Sequence, residues 1–248
     1  MASEPLPPGA GFAGRRIVRV LGRGRAGTTY VALSTAGMPV VLRVFPGAGR
    51  PEVTGALIRE QERVEAFRHP NIAPVLDAGV EDGAFYVVRP FVPGASLVSA
   101  RIPPGGGLSL LSTVAEAIGA AHEAGLVHGS LRPENVVLAG AGGPMVVDLG
   151  ALTSTRPAEE WRGLTAPEVE GGAAPTAAAD VYGLAAMALR IASPDHPELA
   201  RRWRTRFAFG RALAAEPAER PPIEAIGASL RRLAHDAGPT ALRRQSPR

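Results

Sequence analysis

The stretch HGSLRPENVVL, residues 128–138, followed after seven residues by VVDLG, residues 146–150, decides how the rest of this chain reads. Each part sets isolated polar groups against a short apolar, β-type run. Taken alone, Asp148 is a turn-capping aspartate and Asn135 a backbone clip, the ordinary local uses of such side chains. What lies on either side gives them a second meaning.

Upstream, LGRGRAGTTYVAL carries Gly22, Gly24 and Gly27 in a G-x-G-x-x-G pattern. In a dinucleotide-binding fold such glycines open a helix, with an acid about 20 residues on. Here Thr28, Thr29, Tyr30 and Val31 follow, which favour strand, and no acid comes before Glu52. A strand–turn–strand flap fits better, its backbone amides free to approach phosphates. A Gly-rich hairpin with no ligand is the alternative. VVLRV at 40–44, REQERVEAFRHPNI at 59–72 and FYVVRPFVPGASL at 85–97 come next. Downstream lie Ala166–Glu168, DVYGL from Asp180, and Arg220 in EPAERPP.

In this order, over residues 16–235, these segments resemble the bacterial eukaryotic-like Ser/Thr protein kinases. VVLRV corresponds to V-A-I-K, HGSLRPEN to H-R-D-L-x-x-x-N, and DLG to D-F-G. The resemblance implies an α+β, two-lobed protein-kinase fold, with ATP and Mg²⁺ as cofactors. It puts Glu60 at the ion-pairing position of the helix after the third strand, and Arg43 at the lysine it pairs with. Asn135 and Asp148 fall on the metal ligands, whose hard oxygens suit Mg²⁺. Gly22, Gly24, Gly27, Thr29, Val41, Arg43, Arg89, Pro90, Val92 and Val137 fall on the nucleotide site, and Glu168 pairs with Arg220. Val64, Val75, His128, Leu149 and Asp180 would form an internal spine.

Several positions depart from the family pattern. Ser130 stands where an aspartate accepts the substrate hydroxyl's proton, and a neutral hydroxyl is a poor acceptor. General-base catalysis contributes roughly 10²–10⁴-fold, so this loss alone leaves slow turnover rather than none. Gly129 replaces an arginine, and Arg43 and Arg132 replace lysines. The chain contains no lysine at all. A planar fork is not equivalent to a compact point charge in a tight phosphate site. Only 15 residues, 151–165, separate D-L-G from A-P-E, and Trp161 aligns near the family's threonine. Arg89 falls at the back of the adenine site, where an unpaired guanidinium would be costly. Glu60 is the favoured partner for it, Asp148 the second.

Composition agrees with one globular unit. The 248 residues are 46% hydrophobic with a net charge of +4, and contain no cysteine, which excludes disulfides and thiolate metal sites. There is no apolar run of membrane-spanning length and no signal-peptide pattern. Aromatics at 5% give no stacking stripe for nucleic acid. Short β-type runs, Ile17–Leu21, Thr28–Leu33, Val40–Phe45, Val75–Val80 and Phe85–Val88, predict a β-rich N-lobe over 14–92 with one helix. That helix has Leu57, Val64 and Phe67 on its apolar face, with Glu60 beside them. Apolar stripes at Leu111, Val114, Ile118 and Ala121, over Asp180–Ala192, and at Ile223, Ile226, Leu230 and Leu233 predict a helical C-lobe over 93–236. Residues 1–13 read as a flexible leader and 237–248 as a basic tail. Arg201, Arg202, Arg204, Arg206 and Arg211 surround an apolar line of Leu199, Trp203 and Phe207, a solvated face or a docking surface for an acidic partner.

Three functional readings stay open at this level. One is a pseudokinase that retains ATP–Mg²⁺ positions and docks to a protein partner, such as an active kinase or a signalling or membrane protein. The second is a weak or atypical kinase. The third is an interaction domain with a plugged pocket. A cytoplasmic location, with recruitment to a membrane, goes with the first.

Overall fold

Residues 4–24, 27–46, 51–102, 106–140, 143–150, 163–195 and 207–236 are described by a computed structural model of the chain. A six-stranded sheet holds β1 (Gly11–Phe12), β2 (Arg15–Gly24), β3 (Gly27–Leu33), β4 (Pro39–Pro46), β5 (Asp77–Glu81) and β6 (Ala84–Pro90). Its order is β1-β2-β3-β4-β6-β5, antiparallel throughout. The helix α1 (Pro51–Ala66) joins β4 to β5.

The sheet obeys the period of two that extended chain imposes. Val40, Leu42 and Val44 of β4 pack into one cluster with Phe12, Ile17, Tyr30, Ala32 and Val88. Val41, Arg43 and Phe45 turn to the opposite face, with Val87 and Arg89 of β6. Both faces of β4 are therefore covered, which is why VVLRVF is almost continuously apolar. The cover on the outer face comes from the start of the chain. Phe12 and Ala13 are buried, Phe12 meets Tyr86 edge to face, and Leu6 N–H donates to the Tyr30 hydroxyl at 3.1 Å. Gly9 N–H donates to Ile17 O and Ile17 N–H to Ala10 O, so the pairing continues beyond β1. The expectation of a flexible leader over 1–13 is thus corrected for residues 4–13. Its Pro and Gly content suggested loop, yet an outer sheet face left bare would expose several core side chains to water.

The second half is helical: α2 (Gly106–Glu123), α3 (Pro167–Glu170), α4 (Ala177–Asp195), α5 (Phe207–Ala212) and α6 (Ile223–Asp236). Leu111, Val114, Ile118 and Ala121 of α2 are fully buried and share one cluster with Leu184 and Met187 of α4 and with Ile223, Ile226 and Leu230 of α6. The first stop signal is Gly125, in the left-handed region at φ 71°, just after α2. A small sheet of β7 (Ala95–Ser96), β8 (Val136–Leu138) and β9 (Pro144–Val146) frames the segment 128–150. Among the described residues no helix is long and apolar enough to cross a membrane. Residues 199–206 of the expected arginine-rich face, the basic tail 237–248, and Trp161 lie outside the described residues.

Candidate functional site

The register of the sheet builds the site. In the β4–β6 pairing Val41 faces Arg89 and Arg43 faces Val87, so the two arginines sit diagonally on one face. That face looks onto Asp148, held in the left-handed region at φ 62° between buried Val147 and Leu149. Arg89 Nε donates to Asp148 Oδ1 at 2.7 Å, and Arg43 Nη1 donates to Oδ2 at 3.1 Å. All three side chains are nearly buried, 12–16% exposed. Burial pushes the Asp148 carboxyl up, but the Arg89 and Arg43 charges outweigh it and hold it below the ordinary range. Burial likewise works against charged Arg43, and Asp148 opposes that, while Arg132 and Arg89 add to it.

Glu60 is not part of this cluster. It pairs with Arg63 one turn along α1, at 3.0 Å, and remains 33% exposed. The inward place belongs to Gln61, 3% exposed, whose Nε2 donates to Gly150 O at 3.2 Å. The expectations that Glu60 faces inward, pairs with Arg43, and receives Arg89 are all corrected here. Positions 60 and 61 flank the Leu57–Val64 line on either side, about 100° apart around the helix, and only one can point in. Arg63 donates also to Gly125 O at 2.7 Å, which ties α1 to the end of α2 and keeps Glu60 on the outer side. Gln61 and Arg63 were missed in the sequence. The spacing of Leu57, Gln61 and Val64, at i, i+4 and i+7, was the available signal for Gln61.

The loop 128–135 closes the floor. His128 is fully buried; its Nδ1 accepts from Ser130 N–H at 3.2 Å, so the proton sits on Nε2, which donates to Val147 O at 3.0 Å. Asp180 Oδ2 accepts from His128 N–H and from His122 Nε2, and its Oδ1 accepts from Gly129 N–H. Asn135 Nδ2 donates to Ser130 O at 2.8 Å, the local clip that stood as the alternative to its expected role as a metal ligand. Arg132 Nε lies 3.7 Å from Glu134 Oε2. Val64, Val75, His128, Leu149 and Asp180 are each 6% exposed or less.

On the roof, Gly22 and Gly24 are exposed on β2, and Gly27 is pressed so close to β4 that a Cβ there would lie 2.0 Å from Val44 O. Thr29 stands opposite Arg43 on β3, Val41 is buried, and Pro90, Val92 and Val137 are half-buried along β6, the segment after it and β8. A cavity of about 30 Å³, room for about one water, lies behind the arginines, lined by Phe45, Gln61, Val75 and Leu149 among others.

Comparison with known proteins decides the family. A model of the protein kinase domain matches residues 15–206. The chain belongs to the bacterial eukaryotic-like Ser/Thr protein kinase family. It is 33% identical over 217 residues to the serine/threonine-protein kinase PknF of Mycobacterium tuberculosis, covering 78% of this chain and 45% of that one. Against PrkC of Bacillus subtilis it is 29% identical over 193 residues, 71% of this chain and 30% of that kinase. The crystal structure of the Mycobacterium tuberculosis PknI kinase domain superposes with a TM-score of 0.73 at 28% identity, covering 92% of this chain and all of that one. The chain thus spans less than half the length of these two full-length relatives and has the protein-kinase fold.

Within a kinase fold the site can be tested for Mg²⁺. Of the two expected ligands, Asp148 has each oxygen already engaged by a guanidinium, and Asn135 offers one neutral oxygen. An entering cation would have to share an oxygen already bonded to an arginine and sit beside two positive charges. As arranged, this donor set does not fit the ion. The lysine–glutamate pair that a working kinase also requires has no counterpart, because Arg43 is on Asp148 and Glu60 on Arg63.

Proposed function

We propose that this chain is a pseudokinase: a protein-kinase-like domain whose phosphoryl transfer is disabled and which acts by docking to a signalling protein. The observation that carries the reading is the engagement of both Asp148 oxygens by Arg43 and Arg89. Ser130 at the base position removes a further roughly 10²–10⁴-fold. Among the described residues the packing that would present a surface to a partner is kept by contrast. Glu168 and Arg220 are joined by two hydrogen bonds, and the spine is buried. The base position is altered and the metal-ligand position Asp148 is engaged by two arginines, while the packing groups remain, a pattern that favours binding over turnover. The partner class is an active kinase or a signalling or membrane protein, met in the cytoplasm or at the membrane.

The test is transfer of the ATP γ-phosphoryl group, followed by mass spectrometry of the chain itself and of a generic acceptor protein. An Asp148→Ala variant serves as control. Transfer that is undetectable, or equal in the variant, supports the reading. Robust transfer that depends on Asp148 would instead establish a weak or atypical Ser/Thr kinase.

A further inference from the structure

Arg43 and Arg132 keep positive charge where a kinase has lysines, Arg89 adds a third cation, and Ser130 removes a carboxylate. Arg43 comes from β4, Arg89 from β6 and Arg132 from the loop after His128. Their carboxylate partners are Asp148 for the first two and Glu134 for the third. Among the described residues three guanidinium groups face two carboxylates, and Ser130 contributes no charge where the family pattern has another carboxylate. Arg132 is close enough for its charge to act on both Arg43 and His128. Among the described residues, Arg43 and Arg89 share the one carboxylate of Asp148, which leaves a positive charge in surplus at that cluster.

From this arrangement we infer that the cleft is a metal-free polyphosphate site, in which Arg43, Arg89 and Arg132 supply the countercharge that Mg²⁺ supplies elsewhere. The inference rests on the pseudokinase reading and names the ligand class of the same site. Arg89 uses Nε on Asp148 and Arg43 uses Nη1, and each guanidinium carries further N–H donors suited to phosphate oxygens. The roof is compatible with such a ligand. A Cβ built on Gly22 meets nothing within 4 Å, so the backbone there is open to close approach. Arginine is weakly hydrated and forks onto phosphate, so it loses less than lysine on leaving water. A metal-bearing nucleotide brings two more positive charges into a cleft that already has one too many. It should bind worse than the bare polyphosphate.

Calorimetry with the whole chain tests this, using ATP and inorganic triphosphate, each in EDTA and in excess Mg²⁺. ATP should bind in EDTA, and Mg²⁺ should weaken it by about tenfold or more, a difference of ~1.4 kcal/mol. Triphosphate binding in EDTA with similar affinity would support the site and place recognition in the phosphates. ATP binding without triphosphate binding would support it with the nucleoside contributing. Absence of any binding in EDTA, or binding that requires Mg²⁺, overturns the inference. Arg89→Met should lose about tenfold in metal-free affinity. Arg89→Met should keep nearly native stability, and Asp148→Asn, first checked for a cooperative unfolding transition, gives an independent sign. Removing the carboxylate should strengthen metal-free binding and enlarge the thermal stabilisation by ATP in EDTA. Weaker metal-free binding in Asp148→Asn would sink the idea, as would a loss seen only in Mg²⁺, which marks a metal site. The same preparation is assayed for phosphate transfer. Transfer would defeat the pseudokinase reading, whereas Mg²⁺-dependent binding without transfer would defeat only the metal-free site.

Discussion

Arg220 and Glu168 meet fork to fork, with Nη1 on Oε1 at 2.6 Å and Nη2 on Oε2 at 2.7 Å, under a fully buried guanidinium. The same guanidinium donates to the carbonyls of Ala178, Ala214 and Ala215 and lies 5.1 Å from the Tyr182 ring. It joins α3, α4 and the turn before α6. The hydrogen bonds from Arg220 hold the Glu168 carboxyl below its usual range despite partial burial. Glu168→Ala should therefore cost ~3–5 kcal/mol in urea unfolding, because it strands a buried cation. A loss under about 1 kcal/mol, the size of an exposed pair, would show that the fork is dispensable.

His128 sets a pH dependence. Burial lowers its pKa below the ordinary value of about 6.5 and outweighs the opposing charge of Asp180. The unfolded chain then binds a proton that the folded chain refuses. Stability is full above pH ~6.5 and falls as pH drops through the window between the unfolded and folded values. The paired carboxylates Asp148 and Glu168, both lowered, add a second loss only below pH ~4. Unfolding free energy measured from pH 7.5 to 4.5 should slope downward in the native chain. In His128→Phe the slope over this range should flatten, even if the variant starts less stable.

Gly150 is confined by its neighbours and its backbone. At φ 66°, a Cβ would sit 2.8 Å from Val64 Cγ2, while Gly150 O receives Gln61 Nε2. Gly150→Ala should destabilise by ~1–3 kcal/mol, the cost of a strained conformation and of overpacking. Val64→Ala in the same background should recover part of that loss. No recovery would mean that the backbone angle alone is responsible.

The outline of the fold was legible because it is written in local chemistry. The alternation in VVLRVF and the 3.6-period stripes at Leu111–Ala121 and Ile223–Leu233 place β4, α2 and α6 directly. The Glu168–Arg220 pair followed from motif positions. The site was only half legible. Period two sends Arg43 and Arg89 to one face, but which carboxylate they meet depends on the rotation of α1, settled by a one-residue choice between Glu60 and Gln61. That choice turns on Arg63 reaching Gly125 O, a contact 62 residues apart in sequence. The strap over residues 4–13 was hidden for a similar reason. Leu6 and Phe12 are isolated apolar residues among Pro and Gly, and only the bare outer face of the sheet calls for them.

Ser130→Asp repairs the base position and nothing else. In the resulting variant Asp148 would still be held by Arg43 and Arg89, and Glu60 by Arg63. Turnover should stay far below the ~1–100 s⁻¹ typical of kinases. Radiolabelled transfer to a generic acceptor measures it. A rise into that range from this single change would show that the missing carboxylate was the whole defect.

The last prediction separates the two arginines by the asymmetry of their cluster. Asp148 is shared, so its removal leaves two nearly buried guanidiniums without a counter-charge, whereas removal of Arg89 leaves Asp148 still paired with Arg43. Breaking a buried pair from the shared side costs ~3–5 kcal/mol, while replacing a buried cation by an apolar group of similar length is often near neutral. Asp148→Ala should be strongly destabilising and Arg89→Met should stay within about 1 kcal/mol of the native chain. The double variant should be more stable than Asp148→Ala alone, because one of the stranded cations is gone. Urea unfolding of the four proteins gives the coupling directly, since contacting residues depart from additivity by about 0.5–3 kcal/mol. Additive losses would mean that Arg89 and Asp148 do not sense each other and that the arginine is a bystander at the back of the cleft.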